Sequence, residues 1–314
     1  MSLLQLKNVQ VRYQRANKPR PGDITAVRDV SFAIEPGECV ALVGESGCGK
    51  SSLARAITGL QAVSGAILVN GHPLMQLSAR QRAAQLQMIF QDSVGAFNPR
   101  QRLGQAIAEP LLIQQPQLSA QQRQQKVQDL LAQMELSPEL ARYYPAQVSG
   151  GQCQRAAIAR ALITQPQLLV CDEPVSALDV TVRTKILQLL RDCQQQRQLA
   201  LLFITHDLAV ARQLCSRVLV MYAGRIVEQG ATDALFAQPR HPYTKALLAA
   251  VPRLNSAPPP ILAGEPPSLA AQADNNACAF APRCAQVMPR CWQARPVLPA
   301  EPTAAACHLE TKHD

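Results

Sequence analysis

The octapeptide Gly44-Glu45-Ser46-Gly47-Cys48-Gly49-Lys50-Ser51 fits the spacing G-x-x-x-x-G-K-[ST] of a phosphate-wrapping loop. Its glycines permit tight turns and close backbone approach to an anion. Lys50 has the reach for β- and γ-phosphates, and the Ser51 hydroxyl is a hard oxygen donor suited to magnesium. A second set of acids follows an apolar run, in Leu168-Leu169-Val170-Cys171-Asp172-Glu173. A carboxylate at the tip of a buried strand lies at the sheet edge where open α/β folds bind ligands. Asp172 suits a magnesium ligand, direct or through water, and Glu173 a base that orients attacking water. A third run, Leu201-Leu202-Phe203-Ile204, ends in Thr205-His206-Asp207, so His206 closes another strand aimed at the same edge. Ser149-Gly150-Gly151-Gln152 opens a helical stretch through Leu162. Ser149 is a sound N-cap there, and a helix start with small residues favours anions.

These groups need particular elements around them. Cys39-Val40-Ala41-Leu42-Val43 is short and apolar, as a buried parallel strand is, and Ser52-Leu53-Ala54-Arg55-Ala56-Ile57 continues as a helix with Gly59 as its stop. Residues 3–13 and 25–34 alternate apolar and polar side chains, predicting half-exposed antiparallel strands. Tyr13 ends the first of them, where ordinary packing and base stacking are both open to it. The polar stretch Ala16–Asp23 reads as a loop. A strand pair is expected around Gly65–His72, with Asn70-Gly71 as its turn, and a further strand closes at Ile89-Phe90-Gln91. From Asn98 to Gln165 the pattern is mostly helical, and the Gln-rich segment from Gln121 to Leu131 predicts a solvated amphipathic helix. Val218–Met221 and Gly224–Glu228 form a last strand pair.

Composition narrows the class. The chain has 314 residues, 47% hydrophobic and 17% charged, with a net charge of +9. No apolar run approaches the roughly 20 residues that span a bilayer, and the first residues lack the form of a signal peptide. An intracellular protein is therefore expected, with peripheral membrane association open. The basic residues are scattered and aromatics are only 4%, which argues against nucleic-acid binding. Of ten cysteines, Cys39, Cys48, Cys153, Cys171, Cys193 and Cys215 are spread singly and read as free buried residues. Cys278, Cys284, Cys291 and Cys307 cluster near the C-terminus.

Taken together these motifs resemble the nucleotide-binding subunit of an ATP-binding cassette (ABC) transporter. Gly44–Ser51 corresponds to the P-loop, Gln91 to the Q-loop and Val148–Gln152 to the signature, with Val148 where the family usually has Leu. Leu168–Glu173 corresponds to the Walker B strand, Ser176–Asp179 to the D-loop and His206 to the switch histidine. The resemblance covers about residues 3–250. It implies an α/β fold: a RecA-like P-loop NTPase core with an antiparallel β subdomain and a helical subdomain, plus a small extension. The expected division is 1–91 with 166–235 as the core, 92–165 as the helical subdomain and 236–314 as the extension. The resemblance implies ATP and Mg2+, with Tyr13 stacking on the adenine. Gly44, Glu45, Ser46, Gly47, Cys48, Gly49, Lys50, Ser51 and Ser52 would contact the nucleotide from one subunit. Ser149, Gly150, Gly151, Gln152 and Asp179 would contact it across a head-to-tail dimer. Glu173, His206 and Gln91 would serve hydrolysis, and Ser51, Gln91 and Asp172 the magnesium. ATP would bridge and close the dimer, and hydrolysis would release it.

The C-terminal stretch narrows the resemblance. His241–Pro252 predicts a proline turn and short helix, and Pro258–Pro260, Gly264–Ser268 and Pro282 mark a segment with little regular structure. Both resemble the extension of ABC ATPases that import oligopeptides, dipeptides and nickel. The spacing Cys278-x5-Cys284-x6-Cys291-x15-Cys307 is not the C-x2-C pairing of common zinc sites. Four thiolates bind zinc or a [4Fe–4S] cluster, and disulfides are disfavoured in a reducing cytosol. The resemblance points to the iron–sulfur cluster. It further implies two transmembrane permease subunits, a second and different ATPase subunit, and a periplasmic or lipid-anchored solute-binding protein, with this chain on the cytoplasmic face of the inner membrane. Short peptides are the expected cargo. Nickel or another small solute is the alternative within the family, and a soluble ABC ATPase without transport is the alternative outside it.

Overall fold

The computed structural model describes residues 2–13, 24–175, 178–250 and 276–310. The expected loop at Ala16–Asp23, the D-loop residues Ser176 and Ala177, and the proline-rich stretch Pro258–Ser268 lie outside the described residues. Two compact units divide the chain, which passes from one to the other several times.

One unit comprises Val69–Leu202 with two short pieces, residues 2–3 and Ile34–Glu38. Its strands Leu86–Ile89 and Leu168–Asp172 pair in parallel, with Leu86 opposite Leu168 and Ile89 opposite Cys171. All five residues of Leu168–Asp172 are buried, so the strand is apolar until its last residue. The helices Leu103–Gln114, Ala120–Gln133 and Gly150–Leu162 pack together through Leu103, Ile107, Leu111, Val127, Leu131 and Ile158. The Gln-rich helix buries only Val127, Leu130 and Leu131, and the rest of its face is polar. Ser119 caps it, accepting from the Gln122 N–H while Gln122 Oε1 accepts from the Ser119 N–H. At the expected turn, Asn70 (φ 50°) and Gly71 (φ 79°) both take the left-handed conformation that tight turns require.

The other unit comprises Leu4–Ala33, Cys39–Leu68 and the chain from Phe203 onward. Here Leu4–Tyr13 lies between Ile24–Ile34 and Ser64–Val69 in one sheet. In a second sheet Cys39–Val43 runs parallel to Arg217–Tyr222, with Val40 opposite Arg217 and Val43 opposite Val220. Arg217–Tyr222 turns through Ala223 and Gly224 into Arg225–Ala231 as an antiparallel hairpin. The extension then adds a short edge strand, Ala304–Ala305, with Ala305 opposite Glu228. A helix over Pro242–Ala249 precedes it. No helix among the described residues is long and apolar enough to cross a membrane.

Candidate active site

The phosphate loop rises from the fully buried strand Cys39–Val43 and feeds the helix Lys50–Ile57. Gly49 holds φ 110° at the helix start, and a β-carbon there would fall 2.2 Å from the Ala26 carbonyl oxygen. A β-carbon on Gly44 would fall 2.2 Å from the Met221 carbonyl oxygen. Both positions therefore admit only glycine. The Cys48 carbonyl accepts from the Gly224 N–H at 2.8 Å, fastening the loop to the hairpin turn. Lys50, 7% exposed, donates to the carbonyls of Gly44 (2.7 Å) and Glu45 (2.9 Å). Burial pushes the Cys48 thiol up against the pull of Lys50, which keeps it neutral. Ser46 and Gly47 are exposed at the tip. No side chain caps the helix Lys50–Ile57, so its first N–H groups are left to a ligand. The Tyr13 hydroxyl donates to Ser52 Oγ at 3.1 Å, which brings Tyr13 to the base of this helix.

Glu173 follows the strand Leu168–Asp172 with φ 51°, a left-handed conformation rare for a non-glycine residue. Such strain persists where neighbours hold it. Its Oε2 accepts from Gln91 Nε2 at 3.3 Å, and its carbonyl from Gln154 Nε2 at 3.3 Å. Asp172, the last residue of the strand, is 4% exposed. The structure thus brings together Gln91 and Glu173, which lie 82 residues apart in sequence. The loop after Gln91 is fastened to the helix Gly150–Leu162. Cys153 Sγ donates to the Ser93 carbonyl at 3.7 Å, and Arg160 donates to the Ala96 carbonyl at 2.7 Å while lying over the Phe97 ring. Gln154 was not among the residues that the sequence analysis singled out. Its signal is a glutamine on the inner face of a small-residue helix, and here it is fully buried.

Ser149 caps Gly150–Leu162, accepting from the Gln152 N–H at 3.2 Å, while Gln152 Oε1 accepts from the Ser149 N–H at 2.9 Å. Ser149 and Gly150 are exposed, and a β-carbon on Gly150 would meet nothing within 4 Å. Asp179 caps Val180–Arg197, accepting from the Val182 N–H at 2.9 Å. His206 is exposed between Thr205 and Asp207. Asp207 in turn caps Leu208–Leu214 through the N–H groups of Ala209 and Val210.

The six scattered cysteines are buried and form no disulfide, as expected. Cys39 and Cys215 nevertheless meet, with Sγ atoms 2.9 Å apart. In the extension, Cys278, Cys284, Cys291 and Cys307 line one small cavity with His241, Phe280 and Met288. The Cys278 N–H donates to the Cys291 carbonyl at 2.8 Å. Burial raises the thiols of Cys278, Cys284 and Cys307, and the proximity of one another's sulfurs raises them further. Among the described residues no three His, Cys, Asp or Glu side chains are gathered so as to hold a metal. His241 lies in the same surroundings, and burial lowers it to about 4. It stays neutral, and its Nδ1 accepts the Tyr243 N–H at 3.0 Å.

Comparison with known proteins decides the family. Residues 27–176 match the model described as ABC transporter, and residues 227–291 the model described as oligopeptide/dipeptide transporter, C-terminal region. The oligopeptide transport ATP-binding protein OppF of Haemophilus influenzae is 47% identical over 259 residues, 80% of this chain and 78% of that protein. The chain belongs to the ATP-binding proteins of the ABC transporters. The dipeptide transport ATP-binding protein DppF of Escherichia coli is 46% identical over 236 residues, 74% of this chain and 70% of that protein. Among solved structures, a dimeric ATP-binding cassette bound to ADP and phosphate in a post-hydrolysis state matches with a TM-score of 0.68. The match has 28% identity and covers 73% of this chain and 98% of that one. The α/β cassette read from the motifs is therefore the fold of this ABC ATPase.

Proposed function

We propose that this ABC ATPase binds and hydrolyses ATP to energise the uptake of short peptides across the inner membrane. The observation that carries hydrolysis is Glu173, held in strained backbone with its carboxylate bonded by Gln91. A carboxylate fixed in this way is suited to orient and deprotonate a water. Lys50 and the uncapped N–H groups of Lys50–Ile57 bind and neutralise the phosphates, with Tyr13 under the adenine. Ser51, Gln91 and Asp172 would hold Mg2+, which supplies charge neutralisation at the β- and γ-phosphates. Their donors are all oxygens, as that ion requires. His206 contacts the γ-phosphate. Ser149, Gly150, Gly151, Gln152 and Asp179 serve the nucleotide of a second ATPase subunit, a different chain in our reading. We read 1–91 with 166–235 as the nucleotide core, 92–165 as the subdomain that carries the signature, and 236–314 as the extension.

The peptide cargo is supported by the match of residues 227–291 to the oligopeptide/dipeptide C-terminal region. Two permease subunits and a solute-binding protein complete the importer, and this chain sits peripherally on the cytoplasmic face. Four thiol donors line one cavity, a donor set that a [4Fe–4S] cluster or zinc would take, and the cluster is our reading. Cys278, Cys284, Cys291 and Cys307 would hold the cluster, which would clip a segment with little core of its own. Iron and acid-labile sulfide after anaerobic purification are expected, and stoichiometric zinc without iron would replace that reading.

The deciding experiment measures ATP hydrolysis by the subunit co-expressed with its membrane partners and binding protein. Dipeptides, longer peptides and nickel are added in turn. Stimulation by peptide is expected and sets the length preference. Stimulation by nickel alone would move the cargo to a metal and leave the ATPase roles intact. Co-purification with ribosomes and no membrane partner would end the importer reading.

A further inference from the structure

Glu45, inside the phosphate loop, is gripped at three points. Its carbonyl accepts from Lys50 at 2.9 Å, and its N–H donates to the Tyr243 hydroxyl at 2.9 Å. Its carboxylate meets Arg283 of the C-terminal extension in a two-pronged pair. Arg283 Nη1 is 2.7 Å from Oε2 and Nη2 is 3.0 Å from Oε1, so both prongs are filled. The Arg283 side chain is 4% exposed and that of Glu45 23%. Such a pair is shielded from solvent, and its fork geometry fixes direction as well as charge. Tyr222 backs the guanidinium, with its hydroxyl 3.4 Å from Nη1. Tyr222, Tyr243 and Phe280 then pack ring on ring, with centroids 4.6 to 5.5 Å apart. Arg283 ends the short turn Ala281–Arg283, directly before Cys284. Bonding to Glu45 raises the guanidinium further above its ordinary range, so it is always charged.

We propose that Arg283 is a positioning residue for the phosphate loop, neutralising and orienting Glu45 so that the folded extension sets nucleotide affinity. The physical reason is charge. An unpaired Glu45 carboxylate would stand beside the groups that must receive a polyphosphate, and like charges in a partly buried site repel strongly. Paired in a fork, the same carboxylate is neutral to the ligand and pins the loop backbone from outside. The extension is remote in sequence, 238 residues from Glu45, so its fold is read directly at the loop.

The inference rests on Gly44–Ser51 being the nucleotide site, and Lys50→Ala tests that separately: it must abolish ATP binding. The test of the latch is ATP affinity of the full chain, with thermal melting recorded in parallel. Arg283→Ala should weaken ATP binding by about tenfold or more, while kcat in the assembled importer changes less than KM. Adding Glu45→Gln to Arg283→Ala should restore affinity to within about threefold of wild type, because the offending charge is gone. Arg283→Lys, which keeps the charge and loses the fork, should fall between. If Arg283→Ala does not fold, Arg283→Lys decides: it should bind ATP more weakly than wild type. Unchanged affinity in whichever of the two folds, or failure of Glu45→Gln to rescue Arg283→Ala, would overturn the proposal. Wild-type binding by Lys50→Ala would overturn the nucleotide site itself.

Discussion

Two helix starts in this chain are built to attract phosphate, and they are finished to different degrees. The helix Lys50–Ile57 begins in a loop held at its base, with only the Ser46–Gly47 tip exposed. Gly44 and Gly49 abut backbone carbonyls, Lys50 lies over the loop, and Glu45 is clasped by Arg283 and Tyr243. No side chain spends the first N–H groups of that helix. The helix Gly150–Leu162 begins in the open. Ser149 and Gln152 cap each other, Ser149 and Gly150 are exposed, and open space surrounds Gly150. A site complete within one chain can be preorganised by that chain's own packing. On the reading proposed above, the Gly150 start is met by a second subunit and must stay accessible, so its stability comes from a local cap.

The largest effect is expected at Glu173. Glu173→Gln should lower steady ATP turnover by about 10²–10⁴-fold and leave ATP binding intact, because binding belongs to the closed helix start. Steady-state hydrolysis beside equilibrium binding checks this, and near-normal turnover would remove Glu173 as the base. A pair of alanines probes the two helix starts next. Gly49→Ala should destabilise the chain by about 2 kcal/mol or more and erase nucleotide binding, since its φ and the Ala26 carbonyl exclude a β-carbon. Gly150→Ala should melt within about 0.5 kcal/mol of wild type and bind ATP normally, while losing turnover in the assembled importer. Smaller is the effect of Gln154→Met, which removes the donor to the Glu173 carbonyl. We expect kcat to fall about tenfold with the KM for ATP unchanged, read from saturation kinetics. The smallest is Ser149→Ala, which should cost about 1 kcal/mol in chemical denaturation through the lost cap.

Much of this was legible before any coordinates, and the reason is distance along the chain. Strand, glycine loop and helix at 39–57 are local, so periodicity and turn chemistry suffice to read them. The cap at Ser149 depends on Gln152, three positions away. The alternating strands at Leu4–Tyr13 and Ile24–Ile34 follow from the same short-range logic. Gln154 was missed because no local pattern says which glutamine of a helix faces inward. Arg283 was missed because nothing near Pro282 or Cys284 names a partner 238 residues upstream. The meeting of Cys39 with Cys215 was hidden in the same way, by 176 residues of intervening chain.

Residue types and short spacings were enough for the kind of chemistry: a phosphate loop, two acids at a strand tip, a capped glycine helix and four clustered cysteines. Those are statements about residue type and short spacing, and the chain order of the motifs was enough to bring out the family. How each group is held came from the packing of distant segments. That packing bent Glu173 into left-handed backbone between Gln91 and Gln154, left the Gly150 start open, and turned Arg283 of the extension onto Glu45 of the loop. These are outcomes of long-range packing, in which a side chain's partner is chosen by the fold of the whole chain rather than by its neighbours in sequence.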